Sequence, residues 1–149
     1  MRHRNHSKRL SQKPHHAWMM LRNMLTSLLL YERIRTTKKR AQVLRPMVDR
    51  VITIGKTQRP DVGIRRINET LMDDNACRKV MEVLTKRYAT RTSGFTKTVP
   101  VGMRKGDGAL LVDIELIDAE FDTSAKSPEK GDKKVKPAKQ TAKKAVAAK

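Results

Sequence analysis

The chain has 149 residues and a formal net charge of +19, from 34 Lys and Arg against 15 Asp and Glu. This length favours one folded domain, and the strong positive charge indicates a polyanionic partner, most obviously a nucleic acid. The single cysteine, Cys77, excludes an intrachain disulfide and a cysteine-based zinc cluster, and no apolar run approaches the roughly 20 residues needed to span a bilayer.

The positive charge is concentrated at the two ends of the chain. Residues 1–59 contain 15 Lys and Arg but two acids, whereas residues 60–122 contain 10 and 11, and residues 123–149 contain nine and two. We therefore predict a basic N-terminal arm over residues 1–14, one globular domain over residues 15–122 and a flexible Lys/Ala-rich tail over residues 123–149. The tail either binds a polyanion or is simply solvated.

The first helix is predicted from His15 to about Glu32. Apolar residues recur there at steps of three and four, which marks one face of an amphipathic helix. Arg22 and Thr26 lie off this face and are expected to be available to a partner. The apolar face comprises Ala17, Leu21, Met24, Leu28 and Tyr31, widened by Met20 and Leu25.

A short strand and a basic second helix follow. The alternation and β-branched residues of Arg33–Thr37 predict a strand, and Thr36 or Thr37 is expected to cap a helix that runs to about Thr57. Pro46 falls inside this helix and should bend it, because proline removes an intrahelical hydrogen bond. The predicted core positions are Ala41, Leu44, Val48, Val51 or Ile52, and Gly55.

Two further helices are predicted over residues 62–72 and 76–88. Asp73-Asp74-Asn75 separates them and should cap the second helix, since acids are favourable at a helix N-terminus. The residues expected to be buried are Ile64, Ile67 and Leu71 in the first, and Val80, Val83, Leu84 and Tyr88 in the second.

Strands over residues 95–101 and 109–117 complete the predicted domain. The Gly-rich loop of residues 102–108 joins them as a hairpin, and Asp107 is expected to brace its turn. This loop lacks the strand–loop–helix context of a nucleotide-binding P-loop. The predicted fold class is α+β, with about four helices packed against a small two- or three-stranded sheet. The acids Asp113, Glu115, Asp118 and Glu120 are interpreted as an edge that faces solvent or a neighbouring protein.

Five segments, in order, resemble the bacterial-type family of the seventeenth protein of the large ribosomal subunit. They are MRHRNHSKRL (1–10), MLRNMLTSLLLYERIRTTKKRAQVLR (20–45), VDRVITIGKT (48–57), RTSGFTK (91–97) and RKGDGALLVDIELID (104–118). The resemblance implies a protein bound to large-subunit rRNA on the side where the nascent chain leaves, with an N-terminal extension laid into RNA and no catalysis. Pro46, Gly55 and Gly108 depart from the family pattern.

The candidate rRNA contacts are cations and nearby polar residues of the arm, the first and second helices and the hairpin. Arginine forks bind phosphates with two hydrogen bonds, and the amides of a helix N-terminus also favour phosphate. His15 and His16 lack a third ligand at zinc-like spacing, so no metal is predicted. The candidates are Arg2, His3, Arg4, Lys8, Arg9, Lys13, Arg22, Asn23, Arg33, Arg35, Thr36, Thr37, Lys38, Lys39, Arg40, Arg45, Arg91, Lys97, Arg104 and Lys105.

Two hypotheses about function are compatible with these residues. The first is a structural protein of the large ribosomal subunit whose partners are rRNA and neighbouring ribosomal proteins, in the bacterial cytoplasm or, alternatively, in a mitochondrion or plastid. The second is a free-standing DNA-compacting protein, because the Lys/Ala/Pro tail resembles those of linker-histone-like proteins. No residue constellation supports an enzyme, a cofactor or a small-molecule substrate.

Overall fold

The computed structural model describes residues 10–119. Most of the predicted arm (residues 1–9), the acid Glu120 and the whole predicted tail lie outside the described residues. Residues 10–119 form four helices and a three-stranded antiparallel sheet, which confirms the predicted α+β class.

The elements follow the order expected from the sequence, and the last three helical segments are continuous parts of the fourth helix. In chain order, the elements are α1 (Pro14–Tyr31), β1 (Arg33–Thr37), α2 (Lys38–Thr57), α3 (Pro60–Thr70), α4 (Asp74–Lys79), a π-helical turn (Val80–Leu84), α5 (Thr85–Arg87), β2 (Thr96–Met103) and β3 (Leu110–Leu116). We call the continuous unit of α4, the π-helical turn and α5 the fourth helix. None of the helices between residues 10 and 119 is long and apolar enough to cross a membrane.

Strand β3 lies at the centre of the sheet, with β1 and β2 antiparallel on either side. Its inner face places Ile114 and Leu116 against the helices, and both are almost fully buried. Its outer face carries Asp113 and Glu115, since side chains alternate between the two faces of a strand. The acids of β3 therefore do not form an edge of the sheet, and that interpretation is wrong for them.

The core of the described domain is a cluster of mainly aliphatic side chains from all four helices and the sheet. Every core position predicted for α2 is buried, including both Val51 and Ile52. Tyr88 joins the end of the fourth helix to the sheet: its ring centroid lies 5.0 Å from that of Phe95, and its hydroxyl donates to the carbonyl of Ile117. The face predicted for α2 thus packs in the centre of the domain.

Three residues predicted to be buried are exposed. Tyr31 is 72% exposed because it ends α1, where Glu32 turns the chain with a φ of 61°. Ile64 is exposed because α3 packs through Gly63 and Ile67 instead.

The third, Val83, is exposed because it lies in the π-helical turn. The buried residues of the fourth helix recur at steps of four, at Ala76, Val80, Leu84 and Tyr88. An α-helix has 3.6 residues per turn, so such a row would drift around it, and the wider π turn compensates for this drift.

The two predicted helix caps differ. Asp73 caps α4 through a hydrogen bond from the amide of Asn75 to its carboxylate, at 3.1 Å. Thr37 occupies the N-cap position of α2 in an extended conformation, but its hydroxyl makes no capping hydrogen bond. The side chain of Thr37 therefore leaves the first amides of α2 without a capping partner.

Candidate nucleic-acid interface

The first turn of α2 carries three consecutive cations, Lys38, Lys39 and Arg40, and no acid. The amides at a helix N-terminus already create a partial positive charge, so cations there destabilise the isolated helix. A bound anion would offset both the cations and the helix dipole. The start of α2 is thus electrostatically suited to phosphate.

These three cations and Arg45 form what we call the α2 basic surface. Lys38, Lys39 and Arg45 are exposed, and Arg40 is half-buried. Within residues 10–119, none of the four forms a salt bridge with a carboxylate. Their charge is therefore not neutralised by the described part of the protein.

A groove of about 400 Å³, here called the hairpin groove, runs between α2 and the β2–β3 hairpin. Lys38 and Arg45 line its helical side, while Thr98, Pro100 and Leu110 line its sheet side. The two cations thus stand beside a partly apolar surface, where a phosphate could meet the cations while its sugar contacts the hairpin.

The outer face of the sheet carries a cluster of two arginines and one carboxylate. Asp113 is 2% exposed and accepts hydrogen bonds from Arg33 at 2.7 Å and from Arg35 at 2.8 and 3.1 Å. Arg33 also lies 3.1 Å from Glu115. The hydrogen bonds from Arg35, followed by those from Arg33, lower the pKa of Asp113 more than burial raises it. Asp113 is thus a fixed anion under the two guanidinium groups.

Both arginines remain accessible despite these pairs, with 49% of the Arg33 side chain and 58% of the Arg35 side chain exposed. A guanidinium has five N–H donors, and Arg33 and Arg35 each use two nitrogens on carboxylates. Each therefore keeps donors for a further acceptor, so the expected role in phosphate binding is compatible with this geometry.

A second ionic cluster lies at the end of α1. Glu32 is 7% exposed, and its carboxylate lies 2.7 Å from Lys79 and 2.8 Å from Arg87. Burial raises the pKa of Glu32, but the hydrogen bonds from Arg87 and Lys79 outweigh this and bring it below its usual value. This cluster joins α1 to the fourth helix.

The candidates on α1 differ in accessibility. Lys13 and Asn23 are exposed. Arg22 is half-buried and donates to the carbonyls of Thr70 and Leu71, both at 2.9 Å, while Thr26 is buried and accepts from the amide of Met72. The expectation that Arg22 and Thr26 face a partner is therefore wrong for Thr26, and Arg22 is engaged at the C-terminal end of α3.

The candidates on β1 and the hairpin also differ in how accessible their side chains are. Thr36 is 8% exposed on the inner face of the sheet, so it is not available at the surface as expected, whereas Lys97 is exposed beside Glu115. Arg104 pairs with Asp107, which also accepts from the amide of Ala109 at 3.3 Å. Asp107 therefore braces the turn as predicted, and the pKa of its carboxyl is lowered by Arg104.

Two candidates of the second half and five of the arm complete the set. Arg91 is exposed, 3.8 Å from Asp118, and Lys105 is exposed at the hairpin turn. Among residues 10–119, no three His, Cys, Asp or Glu side chains come together as metal ligands. The candidates outside the described residues are Arg2, His3, Arg4, Lys8 and Arg9.

A second groove, not anticipated from the sequence, lies on the other flank of α2, between α1, α2 and α3. It has a volume of about 660 Å³ and contains Trp18, Arg50 and Arg66 in its lining. We call it the Trp18 groove. The sequence carries no local signal for this groove, because its lining residues come from three helices that are separated along the chain.

Comparisons with known proteins agree with the resemblance drawn from the sequence. The sequence model of the family described as Ribosomal protein L17 matches residues 20–117. The large ribosomal subunit protein bL17 of Syntrophotalea carbinolica is 43% identical over 122 residues, which is 81% of this chain and 77% of the relative. That of Pelagibacter ubique is 37% identical over 132 residues, or 89% and 90% of the two chains.

A third relative, the bL17 protein of Agrobacterium fabrum, is 37% identical over 123 residues, which is 82% of this chain and 86% of the relative. Together these matches extend over most of the chain. The family consists of structural ribosomal proteins and is not enzymatic, in agreement with the expectation of no catalysis. The chain belongs to the ribosomal protein L17 family.

Proposed function

We propose that this chain is a structural constituent of the large ribosomal subunit that binds rRNA through the α2 basic surface. The observation that carries the proposal is the placement of four cations, without carboxylate partners among residues 10–119, on and beside an uncapped helix N-terminus. Membership of the ribosomal protein L17 family supports rRNA as the polyanion.

The binding mechanism is electrostatic. Each Lys or Arg that neutralises a phosphate releases a condensed counterion, which favours the complex and makes its affinity fall steeply with salt. The domain fixes the spacing of these cations, because β1 leads directly into α2 and pairs with the central strand. A rigid array of positive charge can then hold together RNA segments that would otherwise repel each other.

The remaining candidates extend this surface. Arg33 and Arg35 lie on the outer face of the sheet immediately before α2, and Lys97 lies on the same face. The candidate cations of the arm, between residues 2 and 13, precede α1 in the sequence and would extend the surface further. Neighbouring large-subunit proteins are the expected protein partners, and the family resemblance supports a position on the nascent-chain exit side.

The bacterial relatives favour a ribosome of the bacterial cytoplasm, with an organelle as the alternative. The proposal is tested by reconstitution of large-subunit particles with the full chain. The chain should sediment with the particle after a high-salt wash. Deletion of residues 1–14 should reduce incorporation more than deletion of residues 123–149. Loss of the chain in the wash, together with binding to duplex DNA of any sequence, would support the DNA-compacting alternative.

A further inference from the structure

The only tryptophan of the chain is at the surface. Trp18 is 46% exposed on the first half of α1, although a side chain of this size contributes most when it is buried. By comparison, the two aromatic rings that face the core, those of Phe95 and Tyr88, are almost fully buried. The exposed indole of Trp18 is therefore available to a partner.

The surroundings of Trp18 combine an apolar floor with positive charge. Met47, Val51 and Ile54 of α2 form the floor of the Trp18 groove, and Arg50 and Arg66 stand on α2 and α3. Glu69 is the one acid in the lining. Neither arginine forms a salt bridge within residues 10–119, so the groove keeps a positive balance of charge.

We propose that the Trp18 groove receives one unpaired nucleotide of the RNA, with the base stacked on the indole and the flanking phosphates held by Arg50 and Arg66. Aromatic rings stack on any base, and arginines bind the phosphates on either side of it. A volume of about 660 Å³ is within the range of pockets that enclose a small organic group. This inference rests on the proposed function and specifies what part of the RNA this groove takes.

Charge complementarity decides between RNA and a protein segment as the occupant. Two guanidinium groups beside an aromatic ring suit a nucleotide, which presents a π-face and an anion a few ångströms apart. The basic ends of a ribosomal protein would be repelled by the same arginines. The Trp18 groove also lies on the opposite flank of α2 from the hairpin groove, so one RNA could contact both sides of this helix.

Because Trp18 is the only tryptophan, its fluorescence reports directly on the groove. The full chain is titrated with a fully paired RNA duplex, with the same duplex carrying one bulged adenosine, and with an abasic residue at the bulge. Binding is followed independently by the anisotropy of a label on the RNA. The bulged RNA should quench Trp18 emission and protect it from acrylamide, and the paired and abasic RNAs should do neither.

Trp18→Leu should lower the affinity for bulged RNA about tenfold and leave the affinity for the paired duplex unchanged. Tyr31→Leu is the matched control, since Tyr31 is an exposed aromatic residue at the other end of α1. This variant should keep the preference for bulged RNA. Thermal unfolding of both variants checks that they fold.

Equal quenching by bulged and abasic RNA would overturn the inference, as would a preference for the bulge that survives Trp18→Leu. In either case the groove would belong to another occupant, such as a protein segment. Failure of the proposed function looks different, because none of the three RNAs would then bind. The two failures are therefore distinguishable in one set of titrations.

Discussion

The second and fourth helices use their charges in opposite ways. The fourth helix begins with Asp73 and Asp74 and ends with cations, which is the arrangement that stabilises a helix dipole, and its Lys79 and Arg87 share the buried Glu32. The second helix begins with Lys38, Lys39 and Arg40 and has no acid in its first turn. The dipole of the fourth helix and the charges of Lys79 and Arg87 are balanced by acids of the described domain. The dipole and the cations at the start of the second helix have no such acid, and a bound anion would balance them.

This difference separates two roles for Lys and Arg in a highly basic chain. A cation that is itself largely buried beside its carboxylate, as Lys79 and Arg87 are beside Glu32, contributes to folding and has little to offer a ligand. A cation without such a partner opposes folding slightly and is available to RNA. The net charge of +19 therefore overstates the binding surface, since part of it is neutralised inside the domain.

The largest effect is expected when the cations at the start of α2 are removed. The triple substitution Lys38→Gln, Lys39→Gln and Arg40→Gln should lower rRNA affinity about 100-fold at low salt and reduce the salt slope by about one for each lost contact. Filter binding over a range of KCl concentrations measures both quantities.

The matched control removes three exposed cations from the other helices, Arg65→Gln, Arg78→Gln and Lys86→Gln. This control variant changes the net charge by the same amount as the first triple variant, and it should alter the rRNA affinity and its salt slope only slightly. Equal losses in the two triple variants would mean that net charge, rather than the α2 basic surface, determines binding.

The next largest effect concerns the fourth helix. Glu32→Gln leaves Lys79 and Arg87 without their carboxylate and should lower the free energy of unfolding by about 2 kcal/mol, between the values typical of exposed and of buried pairs. Urea denaturation measures this change. The rRNA affinity of the folded variant should stay within twofold of the unchanged chain, and a large loss of affinity would contradict the division between paired and available cations.

The pH dependence of stability should follow the same carboxylates. The pKa values of Glu32 and Asp113 are lowered in the folded domain, so both stabilise it above the ordinary carboxyl pKa of about 4. This contribution is lost as the pH falls through their folded pKa values, because the unfolded chain then binds more protons.

Urea denaturation between pH 2 and pH 7 should therefore show a decline in the free energy of unfolding that begins below about pH 4. In Glu32→Gln the decline should be shallower. The same decline in both proteins would show that Glu32 does not contribute to the pH dependence of stability.

Periodicity predicted most of the fold because it reflects local geometry. The core positions of α2 were all correct, and the strands and their hairpin were in the expected places. The exposure of Val83 was not predictable, because the π turn responds to packing rather than to the helical repeat. The pair of Arg35 with Asp113 was missed for a related reason, since it joins residues 78 positions apart and depends on the register of β1 against β3.

The candidate site was predicted in composition but not in arrangement. The sequence indicated which residues were cationic, and it placed Lys38 to Arg40 at the start of a helix. It did not indicate that Arg22 and Arg104 would be engaged within the domain, or that Trp18 and Arg66 would line one groove. These outcomes depend on contacts between distant segments, which no local pattern encodes.

The smallest effect is expected from a single charge reversal at the start of α2. Lys38→Glu replaces a cation that opposes the helix dipole by an anion that favours it, and should raise the free energy of unfolding by about 0.5–1 kcal/mol at low salt. The gain should shrink as salt is added. Thermal unfolding at two salt concentrations measures it, and a destabilised variant would show that the start of α2 is not electrostatically strained.

Lysine acetylation of the unchanged protein, followed by mass spectrometry, tests the central claim most directly. In the free protein, Lys38 and Lys39 should react readily, and Lys79 should react slowly because Glu32 holds it at 2.7 Å. On binding rRNA, Lys38 and Lys39 should become protected while Lys79 and the exposed Lys86 keep their rates. Unchanged reactivity of Lys38 and Lys39 in the complex would contradict the account.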